Sequence, residues 1–495
     1  MDEKAPGARR RPGEARLCRG EAWSAVCLGV AAAAGAAVLG LEVLAARTMA
    51  PVLGTGSVAW AALLAVALGS LAAGNLAGGV LADRAGAGSS EARPGGILAW
   101  SLLVAALALV IFSQASGPLV RRAGDLPLVS GSLAASAMAQ LVPMLLLGVV
   151  TPVLLKARGG APSGRWAGAV LACGSAGGIG GALATGLWLL PAAGIGRSYL
   201  VLAAVLSLAA ALASLAGRRW PAAAAAAGAL ALTAVLWLRT AEASAVESLY
   251  GRIEVRTLDG SRVLLVDGLP QTALRGEVRP WAALRSGYLL EAALMSARPR
   301  RALVIGLGGG LAPRILAAHG VASHSVEIDP EVVRAARREF GFAGPVTVAD
   351  GRRFLERDPR PWDLIVLDVC TGERLALHLF TQEALEAARG RLAPGGSVAV
   401  QFIGGDGPWS ASVLRTAEAV FGRCTMIRPR GQVGPVGPRW LLAGPAAAVP
   451  DDAQAPWEVV RPAAPGAVLT DDRFAAERAW SEAAAAWRRG YGLGG

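Results

Sequence analysis

Acidic residues and glycines follow four consecutive apolar segments in the second half of this 495-residue chain. A glycine run starts at Gly306, Glu327 ends the next segment, and Asp350 and Asp368 follow the two after that. The carboxyl ends of parallel strands meet at one edge of a sheet, and ligands of such sheets bind there. We therefore expect these residues to form one binding site.

The glycine run favours a nucleotide-type ligand. Gly306, Gly308 and Gly310 are spaced G-x-G-x-G, and glycines before a helix let the backbone approach a ligand closely. Dinucleotide-binding proteins carry G-x-G-x-x-G, so this spacing favours an S-adenosylmethionine-type ligand. Glu327, about 20 residues beyond the loop, can accept hydrogen bonds from both ribose hydroxyls.

Alternating strands and helices are expected to position these residues. Before them, Tyr250–Asp267 is predicted to form a hairpin that turns at Asp259-Gly260. The pattern then predicts strands at Ala302–Ile305, Ser323–Ile328, Val346–Val348, Leu364–Leu367 and Ser397–Phe402, with helices at Leu311–Ala318 and Pro330–Phe340. This order predicts an α/β Rossmann-like domain with a small N-terminal β-hairpin region.

The first half of the chain has the composition of a multi-pass α-helical membrane domain. The whole chain is 54% hydrophobic, with a mean hydropathy of +0.47. A spanning helix needs about 20 apolar residues, and seven stretches qualify: 23–46, 58–82, 96–115, 131–155, 166–190, 198–216 and 220–238. The predicted domains are a basic tail (1–22), a transmembrane domain (23–240), the hairpin region (245–270), the Rossmann-like domain (271–450) and a C-terminal tail (451–495).

The charge distribution argues against a nucleic-acid partner. The formal net charge is +12, but residues 1–249 carry 18 Lys and Arg against 10 Asp and Glu, while the remainder carries 30 against 26. Nucleic-acid binding predicts a basic stripe on the soluble part instead. None of the five cysteines has metal-ligand spacing, so we expect neither a zinc site nor a disulfide framework.

Arginine placement gives conflicting information on orientation. The arginines before the first stretch place the N-terminus in the cytoplasm by the positive-inside rule. Seven spans would then place the soluble domain outside, where this ligand is not normally available. The seventh stretch is only weakly apolar, and we expect it to be re-entrant or to lie at the membrane surface. The soluble domain is then expected in the cytoplasm. Glu42, inside the first stretch, is a functional candidate by default, although Arg47 is near enough in sequence to pair with it.

Several segments resemble the spermidine synthase (polyamine aminopropyltransferase) family, most closely its membrane-fused branch. The segments are Leu264–Gln271, Val304–Gly310, Val326–Pro330, Ala349–Gly351, Asp363–Asp368 and His378–Thr381. The resemblance implies that Glu327 binds the ribose, Asp350 with Gly351 binds the adenine, and Gln271 lines the substrate side. It also implies that Asp368 is the catalytic acid that takes a proton from the attacking amine, and that decarboxylated S-adenosylmethionine is the co-substrate.

Three positions depart from the family pattern and leave the amine open. Gly309 stands where the glycine loop usually carries an Asp, and Thr371 stands where a second Asp follows the catalytic acid. The family's Tyr-His pair is absent, and Tyr288 is the nearest aromatic hydroxyl. We therefore assign Gln271, Tyr288 and Thr371 as candidate substrate-binding residues.

The resulting hypothesis is a membrane-embedded aminopropyltransferase that acts on a polyamine such as putrescine, without a metal. Its partners would be the polyamine and the lipid bilayer of the cell membrane, and a homodimer is left open. An S-adenosylmethionine-dependent methyltransferase is the first alternative, since it needs Glu327 and Asp350 but not Asp368. A non-catalytic membrane transporter or sensor that binds a nucleoside or polyamine is the second.

Overall fold

A computed structural model describes residues 12–472, apart from 54–55, 87–91, 125, 158–162, 217–218, 240–244, 249, 259, 268, 275–289, 292–293, 295–296, 372–373, 433–435 and 450–454. The chain divides into two compact units. One comprises Met1–Met49 and Ser57–Ala241, and the other comprises Ala50–Gly56 and Glu242–Gly495.

The first unit is helical. Its helices are α1 (Pro12–Leu53), α2 (Ser57–Gly86), α3 (Ala92–Gly124), α4 (Leu128–Lys156), α5 (Gly164–Ala184), α6 (Leu190–Ala216) and α7 (Trp220–Arg239). Among the described residues, six helical stretches are long and apolar enough to cross a membrane. The predicted basic tail at 1–22 overlaps α1, because that helix already begins at Pro12.

The predicted fifth and sixth stretches correspond to two helical segments that lie on either side of a kink at Gly194. The segment that contains both, Gly164–Ala216, has 53 residues, well over twice the about 20 residues that one span needs. Two irregularities interrupt it: a π-helical turn at Thr185–Leu189 and the non-helical Gly194, with φ 75° and ψ 172°. The break at Gly194 lies in the interval that was predicted to separate the two stretches.

Glycines bring helices of this unit into backbone contact. A Cβ at Gly181 on α5 would lie 2.3 Å from the carbonyl oxygen of Ala36 on α1. A Cβ at Gly74 on α2 would lie 2.0 Å from the carbonyl oxygen of Leu145 on α4. Small residues permit this packing between apolar helices, and a larger side chain at either glycine would push the helices apart.

The second unit begins with a four-stranded antiparallel sheet. Its strands, in spatial order, are β1 (Ala245–Glu247), β2 (Arg252–Leu258), β3 (Ser261–Val266) and β4 (Leu269–Leu274). The predicted hairpin corresponds to β2 and β3, joined through Gly260 at φ 74°. The hairpin region therefore extends beyond its predicted end at residue 270, because β4 continues to Leu274.

An eight-stranded sheet follows, with helices on both faces. Its strands are β5 (Arg301–Ile305), β6 (Ala322–Glu327), β7 (Val346–Val348), β8 (Trp362–Leu367), β11 (Leu392–Gly404), β12 (Cys424–Pro429), β13 (Gly437–Ala443) and β14 (Trp457–Val460). Its helices are α8 (Leu311–Ala318), α9 (Pro330–Phe340), α10 (Gly351–Arg357), α11 (Gln382–Arg389) and α12 (Pro408–Phe421). The short β9 (Cys370–Thr371) and β10 (Arg374–Leu375) pair separately.

The strand order is β14-β12-β13-β11-β8-β5-β6-β7. The five strands from β11 to β7 are parallel, whereas β13, β12 and β14 extend the sheet in antiparallel pairing. The chain moves outward from β5 to β7 and then returns to place β8 on the other side of β5, which creates a crevice at the carboxyl ends of β5 and β8. The Rossmann-like prediction is confirmed, but the sheet also includes β14, within the stretch predicted as a C-terminal tail.

Candidate functional site

A cavity of about 380 Å³ opens at the carboxyl ends of the parallel strands. This volume falls within the usual range of small-molecule sites. Seven of the ten residues predicted for the site line it: Gln271, Gly306, Gly308, Glu327, Asp350, Gly351 and Asp368. The β–α connections that follow β5, β6, β7 and β8 thus converge on one cavity, as the positions of the strand ends predict.

Gly306 must be glycine for two independent reasons. Its φ is 94°, which side chains disfavour, and a Cβ would lie 2.0 Å from the carbonyl oxygen of Asp368. Main-chain hydrogen bonds from Gly306 to Val326 and from Asp368 to Ile305 fix the two loops beside each other. A side chain at position 306 would therefore collide with the backbone of the loop after β8.

Glu327 is buried and holds the glycine loop. It is 8% exposed, and its two carboxylate oxygens accept hydrogen bonds from the main-chain N–H groups of Leu307 at 2.9 Å and Asp329 at 3.0 Å. Burial raises the pKa of Glu327, and these two hydrogen bonds oppose the rise. Each carboxylate oxygen has a second lone pair, so a diol can still donate to both.

Asp350 and Gly351 form the start of α10. Asp350 caps the helix by accepting a hydrogen bond from the N–H of Arg353 at 2.9 Å, and its other carboxylate oxygen lies 3.5 Å from Nε2 of His378. A Cβ at Gly351 would lie 2.3 Å from the Ile305 side chain. Asp350 thus has a structural role at this helix, and its second oxygen faces the cavity region that His378 also lines.

Asp368 is the acidic group with the environment best suited to proton transfer. Among the described residues, no donor hydrogen-bonds to its side-chain carboxylate. Burial, with a smaller contribution from the negative charge of Glu327, raises the pKa of Asp368 to about 7. A general base is most effective when its pKa lies near the working pH. Asp368 can therefore exchange a proton with a bound amine at neutral pH.

Thr272 of β4 closes the cavity next to the glycine loop. Its hydroxyl oxygen accepts a hydrogen bond from the N–H of Gly309 at 2.8 Å. A Cβ at Gly309 would lie 2.8 Å from the Thr272 methyl carbon and 3.1 Å from the Phe340 ring. The volume that a side chain would need at position 309 is therefore filled by these two neighbours.

Three predicted site residues lie elsewhere or outside the description. Gly310 precedes α8 with φ 82° and does not line the cavity. Tyr288 lies outside the described residues. Of Thr371 only the backbone is described, in β9, so the substrate-binding roles predicted for Tyr288 and Thr371 stay predictions.

The sequence interpretation missed five polar residues that line the cavity: Tyr250, Thr272, Asp329, His378 and Gln401. Gln401 had a usable signal, because it lies near the carboxyl end of the strand after Gly395-Gly396. Its neighbour Val400 pairs with Leu367, so Gln401 lies beside Asp368 at adjacent strand ends. No sequence signal marked Tyr250 and Thr272, because they reach the cavity only through the packing of the small sheet on α9 and the glycine loop.

The chain is similar in sequence to several known transferases. The chain is 32% identical over 182 residues to polyamine aminopropyltransferase 2 of Pseudomonas aeruginosa, covering 33% of this chain and 51% of that enzyme. It is 34% identical over 144 residues to the N-terminal histidine N-methyltransferase of Emericella nidulans, covering 27% of this chain and 26% of that enzyme. The chain thus spans about half the length, or less, of these curated relatives.

The comparison with solved structures gives matches of low identity and low TM-score. A probable spermidine synthase from Corynebacterium glutamicum superimposes with a TM-score of 0.38 and 20% identity, covering 45% of this chain and 92% of that one. No family model matches the chain. The similarity to polyamine aminopropyltransferases that the motifs predicted is confirmed by several curated relatives.

Proposed function

We propose that this protein is a membrane-embedded transferase that moves an aminopropyl group from decarboxylated S-adenosylmethionine to a polyamine such as putrescine. The observation that carries the proposal is the Asp368 carboxylate. It lines the cavity, has no hydrogen-bonding partner among the described residues, and has a pKa raised to about 7. Similarity of the chain to several aminopropyltransferases supports it.

In the proposed reaction, the ionised Asp368 first attracts the substrate ammonium and then accepts one of its protons. The neutral amine attacks the propyl carbon next to the sulfonium, a C–N bond forms, and the C–S bond breaks. Methylthioadenosine leaves as a neutral thioether, so no developing anion needs stabilisation. The product nitrogen keeps its other two protons as a secondary ammonium, and Asp368, the general base, releases the proton it accepted to solvent.

The other site residues would bind and orient the donor. Glu327 would accept hydrogen bonds from the ribose hydroxyls through its remaining lone pairs, and Asp350 with Gly351 would bind the adenine. The backbone of Gly306 and Gly308 would lie against the donor, because neither residue has a side chain to exclude it. Gln271 would line the amine side, together with Tyr288 and Thr371.

Methyl transfer from intact S-adenosylmethionine is a second candidate, favoured by position 309. Thr272 and Phe340 fill the side-chain volume there, so this position offers no carboxylate for the ammonium of an aminopropyl donor. Similarity to the fungal N-methyltransferase supports the same alternative. Asp368 would then serve as the base for an amine that accepts a methyl group.

The products distinguish the two reactions. The purified full-length chain should be incubated with putrescine and either decarboxylated or intact donor, and the products measured by mass spectrometry. Methylthioadenosine with an aminopropylated amine supports the proposal. S-adenosylhomocysteine with a methylated amine supports the second candidate, and absence of both products under saturating donor contradicts a transferase of either type.

The location of the chain is part of the proposal. The six apolar helical stretches would anchor it in the cell membrane, with the soluble unit in the cytoplasm where the donor is made. Cysteine labelling from either side of intact cells, at an introduced Asp406→Cys, would test this. Asp406 is 61% exposed in the soluble unit, and labelling from outside would contradict the proposed orientation.

A further inference from the structure

The helical unit contains an acidic group that the soluble site does not use. Glu42 lies on α1 inside an apolar stretch and is only partly exposed. It makes no hydrogen bond or ion pair with any described residue, so the pairing with Arg47 considered from the sequence is absent. An ionisable residue in a membrane span is costly unless it has a partner or a function.

Two contacts between α1 and α4 give the register of these helices, and the register indicates which residues of α4 lie level with Glu42. Trp23 of α1 donates a hydrogen bond to the carbonyl oxygen of Ala157 at 3.0 Å, and the Ser136 hydroxyl of α4 lies 3.5 Å from the sulfur of Met49. Between these two contacts the residue number rises along α1 and falls along α4, so the two helices are antiparallel. A step of seven residues returns to nearly the same helix face. Seven residues back from Met49 is Glu42, and seven forward from Ser136 is Pro143.

The part of α4 at this level contains one buried acceptor with no partner among the described residues and one carbonyl that lacks its usual helical donor. Pro143, inside the helix, has no N–H to donate to the carbonyl of Ala139, one turn earlier. Gln140 is fully buried; its amide nitrogen donates to the carbonyl of Leu63 at 2.7 Å, while its Oε1 accepts no hydrogen bond from a described residue. A buried acceptor left unpaired is destabilising, so a donor at this position would stabilise the unit.

The irregular part of α5 lies at the same level of α1. A Cβ at Gly181 would approach Ala36, and a Cβ at Gly40 would lie 3.0 Å from the Thr185 hydroxyl. From the first of these contacts to the second, the residue number rises by four on α1 and by four along the helix that begins with α5. The two helices are therefore parallel. This register places the π-helical turn Thr185–Leu189 beside residues 40–43. π-Helical turns inside α-helices are frequent at functional sites.

We propose that Glu42, Gln140 and the Ala139 carbonyl form a site for a primary ammonium cation within the helical unit. The chemistry follows from the donors and acceptors. The Glu42 carboxylate supplies the negative charge, and the other two groups supply neutral oxygens that can only accept. An ammonium with three N–H donors satisfies all three groups, whereas a quaternary ammonium carries the charge but has no N–H to donate.

Equilibrium binding tests this proposal on the full-length chain in lipid nanodiscs. The probe is radiolabelled butylammonium, and the competitors are trimethylbutylammonium, Na⁺ and K⁺. We expect saturable binding that trimethylbutylammonium displaces at least about tenfold more weakly than unlabelled butylammonium, the scale of a lost hydrogen bond to a charged group. Equal displacement by the quaternary ion, or displacement only by Na⁺ or K⁺, would overturn the ammonium assignment.

Variants separate this site from the soluble one. Glu42→Gln should remove the site, while Glu21→Gln, an exposed position on the same helix, should leave it intact. Gln140→Leu should weaken binding about tenfold, whereas the exposed Gln114→Leu on α3 should not. Asp368→Asn should retain this binding even if turnover is lost, so failure here is distinct from failure of the proposed transferase. Binding that survives in Gln140→Leu and Glu42→Gln but disappears in Asp368→Asn would refute the site.

Discussion

At the scale of single residues, the cavity of the second unit contains two neighbouring carboxylates in different environments. Glu327 accepts main-chain hydrogen bonds that anchor the glycine loop, whereas Asp368 has no such partner among the described residues. The negative charge of Glu327 adds to burial in raising the pKa of Asp368. One carboxylate is thus committed to holding the loop, and the other is available for a proton.

The raised pKa of Asp368 predicts the pH dependence of turnover. An acid with a pKa of about 7 is protonated below neutral pH and then can neither attract an ammonium nor accept its proton. We expect kcat/KM to fall about tenfold per pH unit below pH ~7. Initial rates from pH 5.5 to 8.5 would measure this fall. A flat profile down to pH 5.5 would show that Asp368 ionises normally or does not act as the base.

Replacing Glu327 should affect ligand binding and the glycine loop together. In Glu327→Gln, the amide nitrogen cannot accept, so one N–H of Leu307 or Asp329 loses its partner. We expect methylthioadenosine affinity to fall at least about tenfold and unfolding free energy to fall by roughly 1–3 kcal/mol. Calorimetric titration and thermal unfolding would measure these, with Glu386→Gln, an exposed position on α11, as the control. Unchanged affinity in a folded variant would contradict the ribose assignment.

At the scale of elements, Thr272 links the small sheet to the glycine loop. Its hydroxyl accepts from the buried N–H of Gly309. Thr272→Val keeps the shape but removes that acceptor, so we expect weaker nucleotide binding and a stability loss of roughly 1–3 kcal/mol. Thr272→Ser keeps the hydroxyl and should bind nucleotide nearly as the parent does. If Val and Ser behave alike in calorimetric titration, the hydrogen bond is not what holds the loop.

The elements around the site were predictable where the pattern was local. The strand starting at Ala302 and the helix over Pro330–Phe340 have clear apolar periodicity, and Asp329 with Pro330 marks a helix start. The antiparallel strands β12 to β14 were not predicted, because short mixed segments such as Cys424–Pro429 become strands only through pairing with distant β13. Likewise, Thr272 and Tyr250 reach the cavity through tertiary packing that no local spacing records.

At the scale of the whole molecule, the boundary between the units predicts that they can be separated. The second unit contains all three described sheets and all described cavity residues. Residues 242–495, expressed alone, should be soluble and should bind methylthioadenosine with an affinity within a few-fold of the full chain. Calorimetric titration of both proteins would measure this. A folded fragment that does not bind would show that the helical unit completes the site.

The central claim is that Asp368 takes the proton from the attacking amine, and Asp368→Asn tests it most directly. The substitution keeps the size of the side chain and removes its basicity. Turnover should fall by ~10²–10⁴, the usual contribution of a general base, while methylthioadenosine affinity stays close to that of the parent. Product formation by mass spectrometry and affinity by calorimetric titration should be measured on the same preparation. Near-parental turnover in Asp368→Asn, with the same product formed, would contradict the account.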